Sequence, residues 1–196
     1  MQMDKPNLIF LKLGGSLITD KSRPRLPRHR IIHRLAREIK EIHKLYPKIK
    51  ILLGHGSGSF GHIPASKYHT IEGVVTPDEW QGFLEVWRDA RELNQIILKI
   101  FRNEGLPVLS FPPSGSIVSS NRIIKNWEFT PIKRSIEMGL IPIVFGDVVF
   151  DTVLGGTILS TEDLFLHLVP HLKPGMILLA GEENGVWRIT PGHQNY

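Results

Sequence analysis

Two short apolar segments near the start of the chain run directly into glycines, and this repeated pattern constrains the fold more than any other feature of the sequence. The first covers residues 7–13 and is followed by Gly14 and Gly15; the second covers residues 49–53 and is followed by Gly54. Apolar runs of this length are typical of strands buried on both faces, and glycines permit a tight turn directly afterwards. We therefore predict two interior strands of a sheet, each ending in a turn.

Helical patterns alternate with the apolar strands. Apolar residues recur at three- and four-residue spacing from residue 31 to residue 45, and Pro47 follows them. A long helix is predicted from about Pro77 to Asn103, and another around residues 132–138. Further apolar strands are predicted at residues 108–111, 141–145 and 176–180. This alternation predicts an α/β fold, a three-layer α/β/α sandwich with a mostly parallel central sheet.

Two segments do not fit the alternation of strands and helices. Residues 116–129 mix polar and β-branched side chains, and residues 148–159 surround the pair Gly155 and Gly156. Segments of this kind with a central turn are typical of hairpins. We predict that each one forms a hairpin or flap outside the main sheet.

The composition of the 196-residue chain excludes several classes of protein. Cysteine is absent, which removes disulfide scaffolds, cysteine-ligated zinc sites and cysteine nucleophiles. No apolar run approaches the roughly 20 residues that cross a bilayer, and residues 1–5 lack the apolar core of a secretory signal. We expect a cytoplasmic protein of one domain, or of one domain and part of another, with no membrane partner. The net charge of +5 favours anionic partners.

The glycine-rich turns after the first two strands predict a phosphate site. One turn covers residues 12–16 and the other covers residues 54–62. Ligands of open α/β sheets bind beyond the carboxyl ends of the strands, where glycine backbones approach phosphates closely and amides are unpaired. Neither turn has the spacing of a Walker loop or of a dinucleotide-binding GxGxxG turn. A single glycine-rich turn is more often only a tight turn, whereas two in tandem favour a phosphate site.

Three charged or titratable residues lie in or near these turns, and a fourth follows another predicted strand. Lys12 lies inside an apolar strand, where its ammonium group needs a counter-ion or a cavity, or else reaches solvent from the strand end. Lys21 is close enough along the chain to fold back to the same phosphate, or is a solvated surface residue. His62 ends the second turn and is able to donate to a phosphate oxygen. Asp147 follows a strand. Its carboxylate is a candidate partner of the lysines or a metal ligand, or the residue only forms a turn.

Three motifs, in this order, resemble the amino acid kinase superfamily. They are KLGGSLITDK at residues 12–21, GSGSFGH at residues 56–62 and GDVVFD at residues 146–151. The resemblance covers roughly residues 8–188. The first motif is typical of the whole superfamily, whereas the SFGH ending together with Lys21 is most similar to the isopentenyl phosphate kinases and their relatives, the fosfomycin-type phosphonate kinases.

The resemblance implies a role for each candidate residue. Lys12 holds the ATP phosphates, Lys21 stabilises the transferred phosphoryl group, and Asp147 orients both lysines. His62 holds the phosphate of the acceptor. The catalytic set implied in this way is Lys12, Lys21, His62 and Asp147.

The resemblance also implies the residues that bind the two ligands. The implied ATP-binding residues are Lys12, Gly14, Gly15, Ser16, Gly58 and Glu182. The implied acceptor-binding residues are Ser57, Gly58, His62 and Gly146, and the first two lie in the cradle between the two phosphates. No residue is assigned as a metal ligand, because Mg²⁺ is expected to arrive with ATP. Residues 63–75 and the long helix, with Phe83, Val86 and Trp87, are candidates to wall a pocket for an apolar acceptor tail, with packing in the core as the alternative for each side chain.

The implied reaction passes the γ-phosphoryl group of ATP to the phosphate of isopentenyl phosphate, giving the diphosphate and ADP. The alternatives are a phosphonate acceptor of the fosfomycin type, or a non-catalytic protein that binds a phosphate ligand. We expect no nucleic-acid partner: the five basic residues within residues 21–30 lack interleaved aromatics and are better explained by steering of small anions. The resemblance implies a homodimer, for which the long helix is available.

Members of this family extend several dozen residues beyond the matched motifs. Residues 176–187 align with the strand that opens their nucleotide-binding half, with Glu182 and Asn184 in place of aspartates. We therefore expect an acceptor lobe at residues 1–174 and the start of a shortened, incomplete nucleotide-binding lobe at residues 175–196.

Overall fold

The computed structural model describes residues 8–20 and 22–182. Lys21 and Asn184, which the sequence singles out, lie outside the described residues. The strands are β1 (Leu8–Leu13), β2 (Lys50–His55), β3 (Val108–Ser110), β4 (Ile117–Ser120), β5 (Ile123–Trp127), β6 (Ile141–Phe145), β7 (Asp147–Asp151), β8 (Gly155–Leu159) and β9 (Met176–Ala180). The helices are α1 (Gly15–Ile18), α2 (His29–Leu45), α3 (Gly58–Lys67), α4 (Pro77–Asn103), α5 (Thr130–Glu137) and α6 (Thr161–Leu172).

Five strands form the central sheet in the order β3-β6-β2-β1-β9, and every neighbouring pair is parallel. β1 and β2 are aligned so that Leu13 lies beside His55. β6 ends at the same level, with Phe145 beside His55 on the other side. The predicted parallel sheet is confirmed, and its register brings the turns after three strands to one edge.

The two predicted flaps join in one small sheet. Its strand order is β5-β4-β7-β8: the pairs β4-β5 and β7-β8 are antiparallel, and β4 pairs with β7 in parallel. Asn121 and Arg122 form the turn between β4 and β5 with φ values of 49° and 64°, as a two-residue hairpin turn with both central residues in the left-handed region requires. Each hairpin was visible in its local pattern, but the pairing between them is a long-range contact.

Helices cover both faces of the central sheet. α2 and α4 pack on one face, where Leu53 of β2 lies in a buried cluster with Ile39 and Leu93. α5 and α6 pack on the other face, where Leu52 lies in a second cluster with Phe165. Leu52 and Leu53 belong to different clusters because successive strand residues point to opposite faces. The predicted three-layer α/β/α sandwich is therefore confirmed.

The long helices agree with the apolar periodicity, but three shorter helices, α1, α3 and α6, were not predicted. α4 has the predicted bounds, and Thr76 caps it by accepting the N–H of Glu79. α3 begins at Gly58, so the second glycine turn is shorter than predicted, and Gly54 belongs to β2. Helix α6, which was also not predicted, packs over Gly54, where a Cβ atom would lie only 2.4 Å from Cγ2 of Thr161.

Within the described part of the chain no helix is both long and apolar enough to span a bilayer. The cytoplasmic location stays a prediction.

β9 differs from the other strands of the central sheet in its burial. It lies at the edge beside β1, and its apolar side chains are largely exposed, with Leu179 at 57%. β2 in the centre is almost wholly buried, although it too is rich in apolar residues. Position in the sheet, which the strand's own sequence does not encode, causes this difference.

Candidate active site

A cavity of about 560 Å³ lies at the carboxyl edge of the central sheet. We call it the glycine-lined cavity, because glycines of three turns contribute to its wall. Seven residues predicted to bind ATP or the acceptor line it: Lys12, Gly14, Gly15, Ser16, Ser57, His62 and Gly146. Because the carboxyl ends of parallel strands meet at one edge, residues far apart along the chain share this cavity.

The turns after three strands are fixed by one repeated hydrogen bond. The first glycine after each strand donates its N–H to the last carbonyl of the neighbouring strand: Gly14 to Ala180 (2.7 Å), Gly56 to Leu13 (3.1 Å) and Gly146 to His55 (3.2 Å). Each turn therefore extends the sheet by one hydrogen bond before the chain leaves it. This bonding holds the cavity wall at a fixed height above the sheet.

The two predicted glycine turns pack directly against each other. A Cβ atom on Gly15 would lie 2.6 Å from the backbone nitrogen of Gly58, and one on Gly58 would lie 2.1 Å from Oγ1 of Thr19. Gly58 also has a φ of +49°, which disfavours other residues. The buried Thr19 hydroxyl joins the turns, since it donates to the carbonyl of Gly15 at 2.7 Å and accepts the N–H of Ser59 at 2.9 Å. Glycine is thus needed here for close backbone packing.

Lys12 is paired with a carboxylate that the sequence did not indicate. Its ammonium group donates to Glu162 at the start of α6, and both side chains line the glycine-lined cavity. The Lys12 side chain is only 16% exposed. This pairing corrects the expectation that Asp147 orients Lys12: among the described residues the carboxylate bound to Lys12 is Glu162.

Asp147 is fully buried and bonded elsewhere. Its carboxylate accepts the N–H of Ser114 at 3.3 Å and the N–H of Val148 at 2.9 Å. Burial raises the pKa of Asp147 to about 6, and these hydrogen bonds oppose the rise. Ser114 belongs to the wall of a different cavity, so the side chain of Asp147 points away from the lysine that it was expected to hold.

His62 lies on a helix and not at the end of a loop. It belongs to α3, where it is exposed and lines the glycine-lined cavity beside Gly61 and Ser57. The predicted position at the cavity is therefore found. Because α3 begins at Gly58, His62 lies in the second turn of this helix and not at the end of the glycine turn.

Glu162 was missed because α6 was missed, although the sequence contains a signal for this helix. Ser160 and Asp163 form a capping box, in which the Ser160 hydroxyl accepts the N–H of Asp163 at 3.1 Å and the Asp163 carboxylate accepts the N–H of Ser160 at 2.8 Å. A serine followed three residues later by an acid, before an apolar run, is the pattern of such a cap. The hydroxyl of Thr161 donates to the carbonyl of His55 at 2.6 Å and ties α6 to the end of β2.

The remaining predicted residues have other positions. Glu182 is described, but it pairs with Arg28 and is not among the cavity-lining residues. Gly58 lies behind the wall, against Gly15. Arg122, which was not predicted, lines the cavity from the small sheet.

A second cavity of about 550 Å³ lies on the other side of α4. We call it the aromatic cavity; its wall includes Phe83, Trp87, Phe111, Trp127 and Phe150. The expected pocket for an apolar tail divides between the two cavities. Val86 and Ile71 line the glycine-lined cavity, whereas Phe83 and Trp87 line the aromatic one.

Comparison with known proteins agrees with this architecture. Residues 7–194 match the family model described as "Amino acid kinase family". The chain is similar to the isopentenyl phosphate kinase of Methanocaldococcus jannaschii, with 35% identity over 185 residues, 91% of this chain and 70% of that protein. It is also similar to the isopentenyl phosphate kinase of Methanothermobacter thermautotrophicus, with 30% identity over 192 residues, 94% of this chain and 70% of that protein.

Solved structures show the same similarity in three dimensions. An X-ray structure of an isopentenyl phosphate kinase superposes on this chain with a TM-score of 0.84 and 29% identity. The superposition covers 94% of this chain and 75% of the solved one.

Proposed function

The chain belongs to the amino acid kinase family, and from this premise we propose that it transfers the γ-phosphoryl group of ATP to isopentenyl phosphate. The observation that carries the proposal is the glycine-lined cavity, in which Lys12 and His62 face the turns that follow parallel strands. The relatives named isopentenyl phosphate kinase support the choice of acceptor.

The proposed reaction needs positioning and charge neutralisation more than covalent chemistry. Phosphoryl transfer spreads negative charge over the oxygens of the moving group. The ammonium group of Lys12 is held in the cavity by Glu162, so it is positioned before the ligands bind. Lys12, Gly14, Gly15 and Ser16 are proposed to contact the ATP phosphates. Lys21 is proposed to assist, and Gly58 and Glu182 stay proposals as ATP-binding residues.

The acceptor is proposed to bind on the side of His62. A hydrogen bond that a histidine donates to a phosphate oxygen is strengthened by the negative charge of the phosphate. Ser57 and Gly146 line the same cavity, and so do the apolar side chains of Val86 and Ile158. This combination of polar and apolar lining suits a phosphate that carries a short hydrocarbon tail.

Mg²⁺ is proposed to enter with ATP. Among residues 8–20 and 22–182 no cluster of three or more His, Asp or Glu side chains is placed to hold a metal ion. Mg²⁺ often keeps several waters and binds substrate phosphates with few protein ligands. The cavity offers Glu162, which is shared with Lys12, so the phosphate oxygens are the proposed principal ligands. When bound, the ion neutralises phosphate charge.

The proposal is tested by incubating the purified chain with ATP, Mg²⁺ and isopentenyl phosphate. We expect isopentenyl diphosphate and ADP in equal amounts, and a His62→Ala variant that loses acceptor affinity more than ATP affinity. A folded protein without turnover contradicts the proposal. Fosfomycin as acceptor tests the phosphonate alternative, and calorimetry that detects acceptor binding without ATP binding identifies a non-catalytic protein.

Two further points are proposals of organisation. Residues 1–174 are proposed to form the acceptor lobe, and residues 175–196 the start of the nucleotide-binding lobe. A homodimer is proposed through the outer face of α4, where Leu84 is 52% exposed and lines the aromatic cavity together with Phe150, which is also 52% exposed. Static light scattering tests this, and a monomer at micromolar concentration contradicts it.

A further inference from the structure

Arg122 brings a positive charge to the glycine-lined cavity from outside the central sheet. It lies in the turn between β4 and β5, yet it lines the cavity together with Lys12 and His62. None of the three sequence motifs contains it. The cavity therefore has a basic group on a wall that the glycine turns do not form.

Buried Asp151 fixes the turn that carries Arg122. The Asp151 carboxylate accepts the N–H groups of Asn121 and Arg122, each at 2.9 Å, and the hydroxyl of Ser119 at 2.6 Å. It accepts two further N–H groups from the turn after β7. Left-handed backbone is unfavourable for most residues other than glycine, with asparagine an exception, so these hydrogen bonds hold Arg122 in a conformation that it would otherwise leave. The backbone from which the Arg122 side chain extends is thus held in place before a ligand binds.

The guanidinium group of Arg122 retains donors for a ligand. Among the described residues, its nearest carboxylate oxygen is Oδ2 of Asp163 at 3.8 Å, which is longer than a hydrogen bond. The same oxygen already accepts the N–H and the hydroxyl of Ser160, both at 2.8 Å. A guanidinium group has five N–H donors, and the Arg122 side chain is 41% exposed. Asp163 therefore orients this group without satisfying it.

Arginine suits a phosphate better than any other side chain in this cavity. Its planar fork donates two parallel hydrogen bonds to phosphate oxygens, whereas a lysine acts as a point charge. Lys12 already shares its charge with Glu162. We propose that Arg122 binds the phosphate group of the acceptor and that the β4-β5 turn is part of the acceptor site, an inference that rests on the proposed function.

The test compares Arg122→Gln and Arg122→Lys with the wild-type protein in steady-state kinetics. We expect Arg122→Gln to raise the KM for isopentenyl phosphate about 10- to 100-fold, as loss of a charge-assisted contact predicts. The KM for ATP is expected to change less than about twofold. Arg122→Lys keeps the charge but loses the fork, and we expect an increase of about 3- to 10-fold.

Lys125→Gln is the matched control, because Lys125 is an exposed cation on the same hairpin and is not among the cavity-lining residues. It removes the same charge and is expected to leave both KM values unchanged. An unchanged KM for isopentenyl phosphate in Arg122→Gln overturns the inference. Equal increases in Arg122→Gln and Lys125→Gln overturn it too, since they indicate a general effect of charge.

A binding measurement separates this inference from the proposed function. Calorimetry with isopentenyl phosphate, without ATP, is performed on the wild-type protein and on Arg122→Gln. A wild-type protein that neither binds nor phosphorylates isopentenyl phosphate contradicts the proposed function. If wild type and Arg122→Gln bind isopentenyl phosphate with the same affinity, only the role of Arg122 is contradicted and the proposed function is not.

Discussion

The two cavities on either side of α4 have almost equal volumes, about 560 and 550 Å³, but they are built in different ways. Gly15 in the wall of the glycine-lined cavity packs so closely on Gly58 behind the wall that neither residue has room for a methyl group. The wall of the aromatic cavity includes five large aromatic side chains, and a Cβ atom added to its Gly115 would meet no described atom beyond the adjacent residues within 4 Å. One cavity is therefore shaped by backbone and the other by side chains.

The comparison supports the proposal that the glycine-lined cavity performs the chemistry. Backbone that is hydrogen-bonded to a sheet holds its amides and charged side chains in fixed places, as charge stabilisation requires. The aromatic wall also includes Arg91 and Glu128, but it offers mainly apolar area, which suits the docking of an apolar surface. Asp147 marks the boundary, because it directly follows Gly146 of the first cavity while its carboxylate accepts the N–H of Ser114 in the second.

The largest expected effect is on catalysis in the glycine-lined cavity. Lys12→Met keeps most of the side-chain length but removes the ammonium group bound to Glu162. We expect kcat to fall about 10³-fold, because a positioned charge at the transferred group is lost. The free energy of unfolding is expected to change by less than about 1 kcal/mol, since Glu162 is half exposed. A kcat within tenfold of wild type, measured by ADP release, contradicts the assignment of chemistry to this cavity.

The next effect tests the difference between the two walls directly. Gly58→Ala introduces a Cβ atom 2.1 Å from Oγ1 of Thr19 at a φ of +49°, and we expect a loss of about 2–4 kcal/mol in the free energy of unfolding. Gly115→Ala is the matched control in the aromatic cavity and is expected to stay within about 0.5 kcal/mol. Urea denaturation measures both. Similar losses in the two variants mean that the walls do not differ as proposed.

Asp147 gives a prediction at the boundary of the two cavities. Its pKa is raised to about 6 in the folded protein from 3.8, so the folded state binds the proton more tightly than the unfolded state does. The resulting stability is fully present below about pH 4 and is lost as the pH rises through about 6. We expect Asp147→Asn, which cannot ionise, to gain up to about 3 kcal/mol relative to wild type between pH 4 and pH 8.

The measurement for Asp147 is urea denaturation of both proteins at several pH values. Glu41→Gln, which removes an exposed carboxyl group on α2, is the control for the loss of one negative charge. Parallel stability curves for wild type and Asp147→Asn contradict the proton uptake that burial predicts.

The smallest expected effect on activity is in the aromatic cavity. Trp87 is 37% exposed and lines that cavity, so Trp87→Ala is expected to leave kcat/KM within about twofold. If the dimer forms through this face, the variant dissociates at higher protein concentration than wild type, because large aromatic side chains dominate such interfaces. Light scattering and kinetics are measured on the same samples. A tenfold loss of activity with unchanged assembly assigns the aromatic cavity to the reaction instead.

Local patterns predicted much of the fold and part of the site. The apolar runs located β1, β2 and β6, and helical spacing located α2 and α4, because these patterns report burial of each segment by itself. The glycine turns pointed to the edge of the sheet where the glycine-lined cavity lies, since parallel strands end together. α6 and Glu162 were missed, although the capping box at Ser160 and Asp163 was present in the sequence. Without that helix, the acid considered as a partner for the lysines was Asp147, which follows the predicted strand at residues 141–145.

The sequence by itself determined where close backbone packing is possible. Only glycine fits at Gly15 and at the left-handed Gly58, so the sequence determines the positions of the turns. The tertiary structure decided which charges meet there. Lys12 and Glu162 are 150 residues apart, and they come together because α6 packs over Gly54 and bonds to the end of β2 through Thr161. Arg122 lines the same cavity because a hydrogen bond from its backbone N–H to Asp151 holds the turn that carries it. Long-range contacts of this kind produce no periodic pattern in the sequence.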